Sequence, residues 1–491
     1  MRVVLVAPPN PSMLDPRIAP PLGLLYLVGS ARTCGVDTSD WSVVDLNTEC
    51  LGDWPAIGHW THDFSIERCM SLIPSGAQVY GVSLASMQLP HGRAIARELR
   101  TREPDALLVC GGSHASAVPD ECADPVVMQG GQFDVVVERE GESAFLDVVN
   151  AVENGWNCRR GDIILDRMSA DSDWRYARAP CGHEQPPARV IRGQPVEPLD
   201  SLPFPARDML DFSRYTRKVA GLPATNIITT RGCPARCTFC QQESLWGPGL
   251  RMMSAPRILA EVDHIKSTTG IGNLLFLDDS LTARKRADMT ELCAGLKARG
   301  VLWRGWTRAN LVTRPGDAEM LRTMANAGCQ ALCIGVEAGS DSVLRALDKG
   351  TTVETNRRAI RAVAESGMQC RISIMVGNPG ETWADVMALV RFVAEMGPYV
   401  EDWILSSYVP LPGSPAWDDP ERYGMFIDKE EARRSGYAHF FVVGGQERSP
   451  TVHRYADGTG PDEIRARHDF VQENLLRLAP RDRRGVVAGR A

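Results

Sequence analysis

The sequence predicts an α/β protein with two successive domains, and two observations carry this prediction. Short apolar runs alternate with helical stretches up to residue 153, and the same alternation returns six times between residues 224 and 407. Strands that alternate with helices favour parallel sheets covered by helices. We therefore predict an N-terminal doubly wound, Rossmann-like domain (1–153), a linker (154–222), a partial (β/α)6 TIM barrel (223–415) and a small C-terminal extension (416–491).

The first domain is predicted to hold a parallel sheet. A buried strand over Arg2–Ala7 is followed by a helix over Leu22–Ala31, which comes directly after two prolines. The same pattern predicts strands at Trp41–Leu46, Val79–Leu84, Ala106–Cys110 and Asp134–Val137, and helices at His91–Arg102 and Glu142–Val152. Ligands of doubly wound sheets bind beyond the carboxyl ends of the strands.

The predicted barrel consists of six βα units, two fewer than a closed ring requires. Its strands are expected at 224–230, 273–278, 302–307, 331–336, 370–376 and 402–407, with helices near 256–268, 286–299, 317–327, 354–367 and 382–396. The proline-rich segment before it predicts an extended connection. In the C-terminal extension, an amphipathic pattern predicts a helix over Pro461–Leu478.

Composition limits the class of partner. The chain has a net charge of −7, 44% apolar and 23% charged residues, which argues against nucleic acid and membrane as its main partners. No apolar run approaches the roughly 18 residues of a membrane span. Fourteen cysteines without a pairing pattern fit a reducing compartment, so we expect a cytoplasmic protein.

Three closely spaced cysteines carry the strongest functional signal. Cys233, Cys237 and Cys240 form a CxxxCxxC triplet just after the apolar run 224–230. Thiolates at such spacing suit an iron–sulfur cluster, and three of them leave one iron open to another molecule. A structural zinc site normally needs a fourth ligand, which no nearby residue obviously supplies. An odd number of cysteines also disfavours disulfides.

The triplet, with Phe239 before its last cysteine, resembles the signature of the radical S-adenosylmethionine (SAM) superfamily. The resemblance implies that Cys233, Cys237 and Cys240 are the metal ligands of a 4Fe-4S cluster whose open iron binds SAM. It also implies reductive cleavage of SAM to a 5'-deoxyadenosyl radical, which removes hydrogen from an unactivated C–H bond. A flavodoxin- or ferredoxin-type electron donor is expected with such a cluster.

Polar residues follow several predicted barrel strands, where the sites of such barrels lie. The phrases around Asp278, Glu337 and Gly377–Glu381 all resemble radical SAM motifs. By that resemblance Asp278 lies near the SAM amino group, Glu337 near its amino acid or ribose part, and Gly377 to Glu381 near its adenine. Strand parity also directs Glu337 and Arg371 into the lumen, where the alternative to a SAM contact is a buried ion pair.

Apart from the triplet, Cys329 and Cys333 form a CxxxC pair in the predicted barrel. An auxiliary cluster would need further thiolates, so the simpler interpretation is a pair of buried free cysteines. Cys333 would face the lumen, where a thiol could act as a hydrogen donor. The sequence assigns no other catalytic residue.

The strand-end loops of the first domain resemble those of cobalamin-binding domains found ahead of radical SAM domains. The resemblance is carried by Pro20–Leu27, the Gly-Val-Ser that ends at Ser83, and the Gly-Gly-Ser-His at 111–114. It implies a cofactor site at Ser83, Gly111, Gly112, His114 and Gly141. Because no DxHxxG sequence is present, the resemblance implies cobalamin without a histidine ligand. Arg139 stands where the family usually has glycine, and some members keep the fold without cobalamin.

The combined resemblance implies a cobalamin-dependent radical SAM enzyme. The expected reaction is methylation of an unactivated carbon of a small, secondary metabolite. One alternative is radical chemistry without methyl transfer, such as dehydration, epimerisation, cyclisation or decarboxylation. Another is an iron–sulfur electron-transfer module, which would leave the polar lumen and the SAM motifs unexplained.

Overall fold

A computed structural model describes residues 1–10, 13, 15–50, 64–155, 173–176, 189–437 and 453–478, without the side chains of 173–176. The chain forms two compact units. The first comprises Met1–Tyr215, Gln241–Gly247 and Glu430–Ala438, and the second comprises Thr216–Cys240, Pro248–Lys429 and His439–Ala491. Among the described residues, no helix is both long enough and apolar enough to cross a membrane.

The first unit is built on a twisted sheet with helices along it. Its strands are β1 (Val3–Ala7), β2 (Trp41–Asp45), β3 (Val79–Ser83), β4 (Leu107–Gly111), β5 (Val135–Glu138), β6 (Asp173–Tyr176) and β7 (Arg189–Arg192). Its helices are α1 (Leu22–Thr33), α2 (Leu46–Glu49), α3 (Ile66–Leu72), α4 (Leu89–Arg102), α5 (Ser113–Ala117), α6 (Pro119–Ala123), α7 (Gly141–Glu153) and α8 (Gln242–Trp246).

The order of the strands is β2-β1-β3-β4-β5-β7-β6, and all pairs are parallel except β6 with β7. The interior strand β1 is buried along its whole length, as expected for a parallel strand with both faces covered. The predicted doubly wound fold is confirmed. The sequence did not predict β6 and β7, which lie within the segment assigned as a linker and extend the sheet.

The second unit contains a curled sheet and two separate two-stranded sheets. Its strands are β8 (Lys218–Val219), β9 (Leu222–Ile227), β10 (Thr230–Cys233), β11 (Gly249–Met252), β12 (Asn273–Phe276), β13 (Trp303–Thr307), β14 (Cys329–Glu337), β15 (Gln369–Val376), β16 (Asp402–Ser407), β17 (Met425–Ile427) and β18 (His453–Tyr455). The two-stranded sheets are β10-β11 and β17-β18. The helices of this unit are α9 (Ala255–Thr269), α10 (Arg286–Ala298), α11 (Asp317–Asn326), α12 (Asp341–Ala346), α13 (Val353–Glu365), α14 (Trp383–Met396), α15 (Pro415–Asp418) and α17 (Pro461–Leu478). A further helix, α16 (Lys429–Arg434), belongs to the first unit from Glu430 onward.

Short 3-10 turns complete the described secondary structure. They lie at Pro16–Ile18, Ser86–Gln88, Leu199–Ser201, Arg207–Met209, Phe212–Arg214, Leu281–Ala283, Ala309–Leu311, Gly397–Tyr399 and Glu421–Tyr423.

Six parallel strands form the half-barrel, in the order β16-β15-β14-β13-β12-β9, and β8 pairs antiparallel with β9 at the edge. The predicted (β/α)6 architecture is confirmed. One prediction was wrong in detail, because the run 224–230 is not a single strand. β9 ends at Ile227, and Thr230 begins β10, which pairs with β11 in a separate antiparallel ribbon. This break turns the chain toward the cysteine triplet.

Candidate functional site

The cysteine loop lies at the carboxyl edge of the half-barrel and follows β10, which is separated from the end of β9 by residues 228–229. Cys233 is the last residue of β10, and the backbone N–H of Cys240 donates to the carbonyl of Cys237 at 3.1 Å. Gly232 has a φ of +90°, and a Cβ there would lie 2.3 Å from the Gly249 carbonyl oxygen. Glycine is therefore required for the ribbon to present Cys233 to the loop.

The surroundings of the thiols suit anionic sulfur. No disulfide joins Cys233, Cys237 or Cys240 to any of the described cysteines, and Cys237 is buried. The guanidinium of Arg308 donates to the Cys237 Sγ at 3.4 Å, and the Ser280 hydroxyl lies 3.5 Å from the Cys233 Sγ. Donors beside thiolates stabilise their charge. These residues fit a cluster with three thiolate ligands, on which each sulfur binds its own iron.

A site for a single metal ion would need several Cys, His, Asp or Glu side chains grouped around one point. Across the described ranges, no three Cys, His, Asp or Glu side chains are grouped in a way that could hold one ion.

Asp278 supports the approach to this loop from the end of β12. Its carboxylate accepts the backbone N–H groups of Thr229 and Thr230 at 2.6 and 2.9 Å, and also the Thr229 hydroxyl. The fully buried Arg284 donates to the Thr229 carbonyl at 3.0 Å. Burial raises the pKa of Asp278, although Arg284 partly offsets this. The carboxylate therefore positions the turn between β9 and β10, and its contact with the SAM amino group stays a prediction.

The next carboxylate in the chain, Asp279, is half-buried. Burial, and then the charge of Asp278, raise the pKa of Asp279 to about 7. An acid whose pKa lies this close to neutrality at the carboxyl edge of a barrel marks a candidate functional group.

Glu337 ends β14 in a strained conformation. Its φ is +66°, and the register between β14 and β15 shifts at this point. Its carboxylate accepts the Lys349 ammonium at 2.7 Å, in a pair of which both side chains are buried, and lies 3.5 Å from the Ser373 hydroxyl. Left-handed backbone at a non-glycine residue is often found at functional sites. The predicted contact between Glu337 and SAM remains a prediction.

Lys349 connects Glu337 to the cysteine loop. Its ammonium lies 5.8 Å from the centre of the Phe239 ring, and its backbone carbonyl accepts the guanidinium of Arg308. Arg308 in turn contacts Cys237. The sequence analysis missed both cations, because each lies far from the triplet in the chain and belongs to no recognisable motif.

Arg371 does not share the ion pair of Glu337. It is paired with Asp402 on β16, with its Nε 3.0 Å from the carboxylate. The register places Cys333 beside Arg371 on the same face of the sheet. Burial raises the pKa of the Cys333 thiol to about 12, so this group is a neutral thiol. The interpretation of Arg371 as an ion-paired residue is the one that the geometry favours.

The loop after β15 is closed by its own glutamate. Glu381 accepts the backbone N–H of Gly377 at 2.6 Å and the Asn378 amide at 2.8 Å. Burial raises the pKa of Glu381, and the hydrogen bonds from Asn378 and Gly377 lower it in part. Gly377 has a φ of +73°. The loop is therefore preorganised, and its predicted place near the adenine of SAM stays a prediction.

The C-terminal extension packs on this loop. The Arg467 guanidinium of α17 donates to the Glu381 backbone carbonyl at 2.6 Å, and the Tyr455 hydroxyl donates to the Gly377 carbonyl at 2.5 Å. A Cβ on Gly377 would lie 2.6 Å from Ile464. The sequence predicted the helix α17, but not that it braces a motif loop some 86 residues away in the chain.

His453 of β18 is buried without a hydrogen-bond partner. Neither of its ring nitrogens is bonded within the part of the chain that the structure describes, and its side chain is 2% exposed. Its ring lies 6.4 Å from that of Tyr408, whose hydroxyl is 3.4 Å from the Thr238 hydroxyl in the cysteine loop. Burial lowers the pKa of His453 to about 4, so the imidazole is neutral. No sequence motif identified this residue.

In the first unit, the predicted cofactor residues lie at the carboxyl ends of β3, β4 and β5. Ser83 ends β3 and Gly111 ends β4, and the two are register partners. Gly112 has a φ of +100°, and a Cβ there would lie 2.8 Å from the Leu84 carbonyl oxygen. Gly141 is the first residue of α7. The glycines at this rim of the sheet let a large ligand approach the backbone closely.

His114 lies fully buried behind this rim. Its Nδ1 is 3.0 Å from the Ser86 hydroxyl, and its Nε2 has no partner among the described residues. The ring of Tyr437 packs edge-on at 5.1 Å. Burial lowers the pKa of His114 to about 3. The ring is therefore a neutral imidazole, and its place beside the cofactor stays a prediction.

Tyr437 belongs to a C-terminal segment, Glu430–Tyr437, that is part of the first unit. Its hydroxyl donates to Glu121 at 2.6 Å, and Arg433 donates to the other oxygen of the same carboxylate at 2.7 Å. Glu121 is buried on α6. The sequence analysis did not foresee that this distant segment covers His114.

Arg139 adopts a backbone conformation that explains the glycine usual at its position. Its φ is +63°, and its backbone N–H donates to the Ser116 hydroxyl at 2.8 Å. Its guanidinium would lie 3.3 Å from a Cβ on Gly247. The side chain is thus directed toward the segment that follows α8.

A three-cysteine loop on a half-barrel, preceded in the chain by a doubly wound domain with an open glycine rim, defines an α/β enzyme with an iron–sulfur cluster. Family models agree with this class. The radical SAM superfamily model matches residues 227–393, and the B12 binding domain model matches residues 16–149. The chain is therefore a radical SAM enzyme with a B12-binding domain, and its cofactors are a 4Fe-4S cluster, SAM and cobalamin.

Curated relatives fall into two groups. The chain is 24% identical to an uncharacterised methyltransferase of Pyrococcus horikoshii over 85% of its own length and 83% of the relative's. It is 26% identical to the cytidylyl-2-hydroxyethylphosphonate methyltransferase of Streptomyces wedmorensis, over 85% and 80%. It is also 26% identical to the anaerobic magnesium-protoporphyrin IX monomethyl ester cyclase of Cereibacter sphaeroides, of which it spans 63%.

A solved structure has the same fold. The radical SAM methyltransferase TsrM of Kitasatospora setae, with cobalamin and a [4Fe-4S] cluster bound, aligns with a TM-score of 0.64 at 18% identity. The alignment covers 98% of this chain and 90% of TsrM. At this identity the likeness establishes the fold.

Proposed function

We propose that this protein is a cobalamin-dependent C-methyltransferase that acts on an unactivated carbon of a small secondary metabolite. The observation that carries the proposal is the presence of two cofactor sites in one chain, a three-cysteine loop on the half-barrel and a glycine rim on the doubly wound sheet. Radical chemistry alone requires only the first of these sites. A methyl carrier gives the second site a use.

When bound, the cluster supplies electrons, SAM supplies both a hydrogen-abstracting radical and a methyl group, and cobalamin carries that methyl group. The chain's own residues hold and orient these groups. Cys233, Cys237 and Cys240 hold the cluster and leave one iron for SAM, while Arg308 offsets part of the sulfur charge beside Cys237. We assign Glu337 to the polar part of SAM, with Lys349 fixing its carboxylate.

The names of the relatives support methyl transfer to a small molecule. The Streptomyces relative is named for a nucleotide-linked phosphonate, and its alignment spans most of both chains. TsrM has been solved with tryptophan and a SAM analogue. We infer a small-molecule substrate for this protein, with a flavodoxin- or ferredoxin-type protein as its electron donor.

The second candidate function is a radical reaction without methyl transfer, such as a cyclisation. The similarity to the magnesium-protoporphyrin cyclase, over 85% of this chain, favours it. The two candidates differ in how they use SAM. Methyl transfer through a carrier consumes SAM by two different bond cleavages, whereas a radical rearrangement needs only the one that yields 5'-deoxyadenosine.

We therefore predict that S-adenosylhomocysteine and 5'-deoxyadenosine both accumulate in proportion to product, and that SAM with a deuterated methyl group labels the product. The measurement is mass spectrometry of all three species with cluster- and cobalamin-loaded protein. As a control, protein loaded with the cluster alone should give no labelled product. Formation of 5'-deoxyadenosine and product, without S-adenosylhomocysteine or label, would favour the cyclase-type reaction instead.

A further inference from the structure

The half-barrel has a cavity at its amino edge, the edge opposite to the one from which the cysteine loop begins. The cavity has a volume of about 260 Å³ and lies against the first residues of β13, β14, β15 and β16 and the hairpin between β8 and β9. The residues that concern us here are Lys218, Arg304, Gln330, Gln369, Arg371 and Asp402. Glu401, Val219, Ala220 and Ala331 complete the lining, so most of its side chains are polar or charged.

Arg304 is the residue that indicates a binding site in this cavity, because its charge has no partner among the described residues. Its Nε is buried and has no hydrogen-bond partner in the described part of the chain, and its guanidinium forms no ion pair there. Burial lowers the pKa of Arg304, and the charge of Arg371 lowers it further. Arg304 is half-buried, and a guanidinium that faces a second cation has lost part of its hydration without gaining a partner.

The other charges near the cavity do not neutralise Arg304. Two carboxylates line the cavity. Asp402 is already engaged by the Arg371 Nε at 3.0 Å, and Glu401 also takes part in an interaction of its own. Lys218 adds a further cation from the exposed hairpin. The amide group of Gln330 donates to the Gly328 carbonyl at 3.1 Å, which leaves its side-chain oxygen and the Gln369 amide as neutral hydrogen-bonding groups.

We propose that this cavity is a binding site for a small oxyanion, a carboxylate or phosphate group, held by Arg304 with help from Lys218. A planar guanidinium presents paired donors that match both kinds of anion. A bound oxyanion would separate the Arg304 and Arg371 charges and join the starts of four neighbouring strands. This role is independent of the reaction at the carboxyl edge.

Thermal unfolding of the cluster-loaded, full-length protein tests the proposal, with inorganic phosphate and acetate as probes against chloride at equal ionic strength. The unfolding midpoint of the wild type should rise with the concentration of at least one probe, and the probe that acts identifies phosphate or carboxylate as the ligand class. Arg304→Gln should weaken the dependence at least ten-fold. Arg322→Gln, which removes an exposed arginine from α11, is the matched control and should behave as the wild type.

A second measurement separates binding from a merely structural role. In buffer without either probe, Arg304→Gln should unfold at or above the midpoint of Arg322→Gln, because it removes a half-buried charge that lies beside another cation. A midpoint clearly below that of the control would mean that Arg304 is already paired and would overturn the proposal. Absence of any midpoint shift with both probes, or equal shifts in the wild type and Arg304→Gln, would also overturn it.

Discussion

At the scale of single residues, burial without a partner distinguishes two histidines. His114 in the first unit and His453 in the second are both almost completely buried and both have unbonded ring nitrogens among the described residues. Desolvation disfavours the imidazolium form, so both rings are neutral at physiological pH. Each lies near loops to which we assign a cofactor, and neutral donors and acceptors suit that position.

The buried His114 predicts an acid-dependent loss of stability. Its folded pKa, about 3, lies below the ordinary value of about 6.5, so the unfolded chain binds a proton that the folded chain does not between these limits. Stability should therefore fall as the pH decreases from 6.5. In His114→Gln the slope of unfolding free energy against pH should be smaller by up to about 1.4 kcal/mol per pH unit. Urea unfolding between pH 5 and 7 measures it, and an unchanged slope would contradict the assignment.

The left-handed backbone of Arg139 predicts a strain that two substitutions can measure separately from the contribution of the side chain. A non-glycine residue with φ near +60° carries a strain of about 1–2 kcal/mol, part of which the greater freedom of an unfolded glycine offsets. Arg139→Gly should thus raise the free energy of unfolding by up to about 1 kcal/mol relative to Arg139→Ala, which keeps the strain. If the two variants are equally stable in urea, the strain is absent.

The same pair of variants tests whether the Arg139 side chain hinders the binding of cobalamin. If the guanidinium obstructs the nucleotide tail, both variants should retain more cobalamin than the wild type after reconstitution and desalting. Equal retention in all three proteins would show that the side chain at this position does not limit binding.

At the scale of elements, α17 is the brace of the loop after β15. Arg467 and Glu381 are 5% and 2% exposed, and their charges approach to 3.6 Å. Arg467→Ala would leave the Glu381 carboxylate buried without its cation, which typically costs about 3–5 kcal/mol. We expect that loss in urea unfolding, together with weaker SAM binding by equilibrium dialysis.

The exposed Arg465 on the same helix provides the matched control. Arg465→Ala should change stability by less than about 0.5 kcal/mol and leave SAM binding unchanged. A similar loss in both variants would mean that the helix as a whole, and not the contact with Glu381, is responsible.

The elements themselves were largely predictable from the sequence, because strand and helix patterns are local. The six barrel strands and α17 were located to within a few residues. The break at residues 228–229 was not, because the apolar run continues across it while the Asp278 carboxylate bends the backbone from outside. The strands β6 and β7 were missed because their segment has no long periodic pattern and joins the sheet only by tertiary pairing.

The candidate site was predictable only where motifs exist. The cysteine triplet and the residues Asp278, Glu337 and Gly377 were found by pattern, but their partners were not. Lys349, Arg308 and Arg467 act on motif residues through contacts between distant parts of the chain. No pattern in a single sequence encodes such contacts. These cations nevertheless determine which of the motif carboxylates are already ion-paired within the protein.

At the scale of the whole molecule, the chain contains two α/β units whose cofactor motifs occupy equivalent positions. In each, the residues that carry the cofactor motifs follow the carboxyl ends of parallel strands. The C-terminal extension contributes to both, since Glu430–Tyr437 belongs to the first unit and the residues from His453 to α17 belong to the second. The extension is therefore part of each unit's fold.

The central claim is that the cysteine triplet holds the one cluster on which SAM chemistry depends. The most direct test measures iron, sulfide, corrin and SAM cleavage in anaerobically purified wild type and in the triple variant Cys233→Ala, Cys237→Ala, Cys240→Ala, with Cys333→Ala as a control outside the motif. We predict about four irons and four sulfides per chain in the wild type and in the control. The triple variant should lose the cluster and all SAM cleavage but retain corrin. A triple variant that still cleaves SAM would contradict the account.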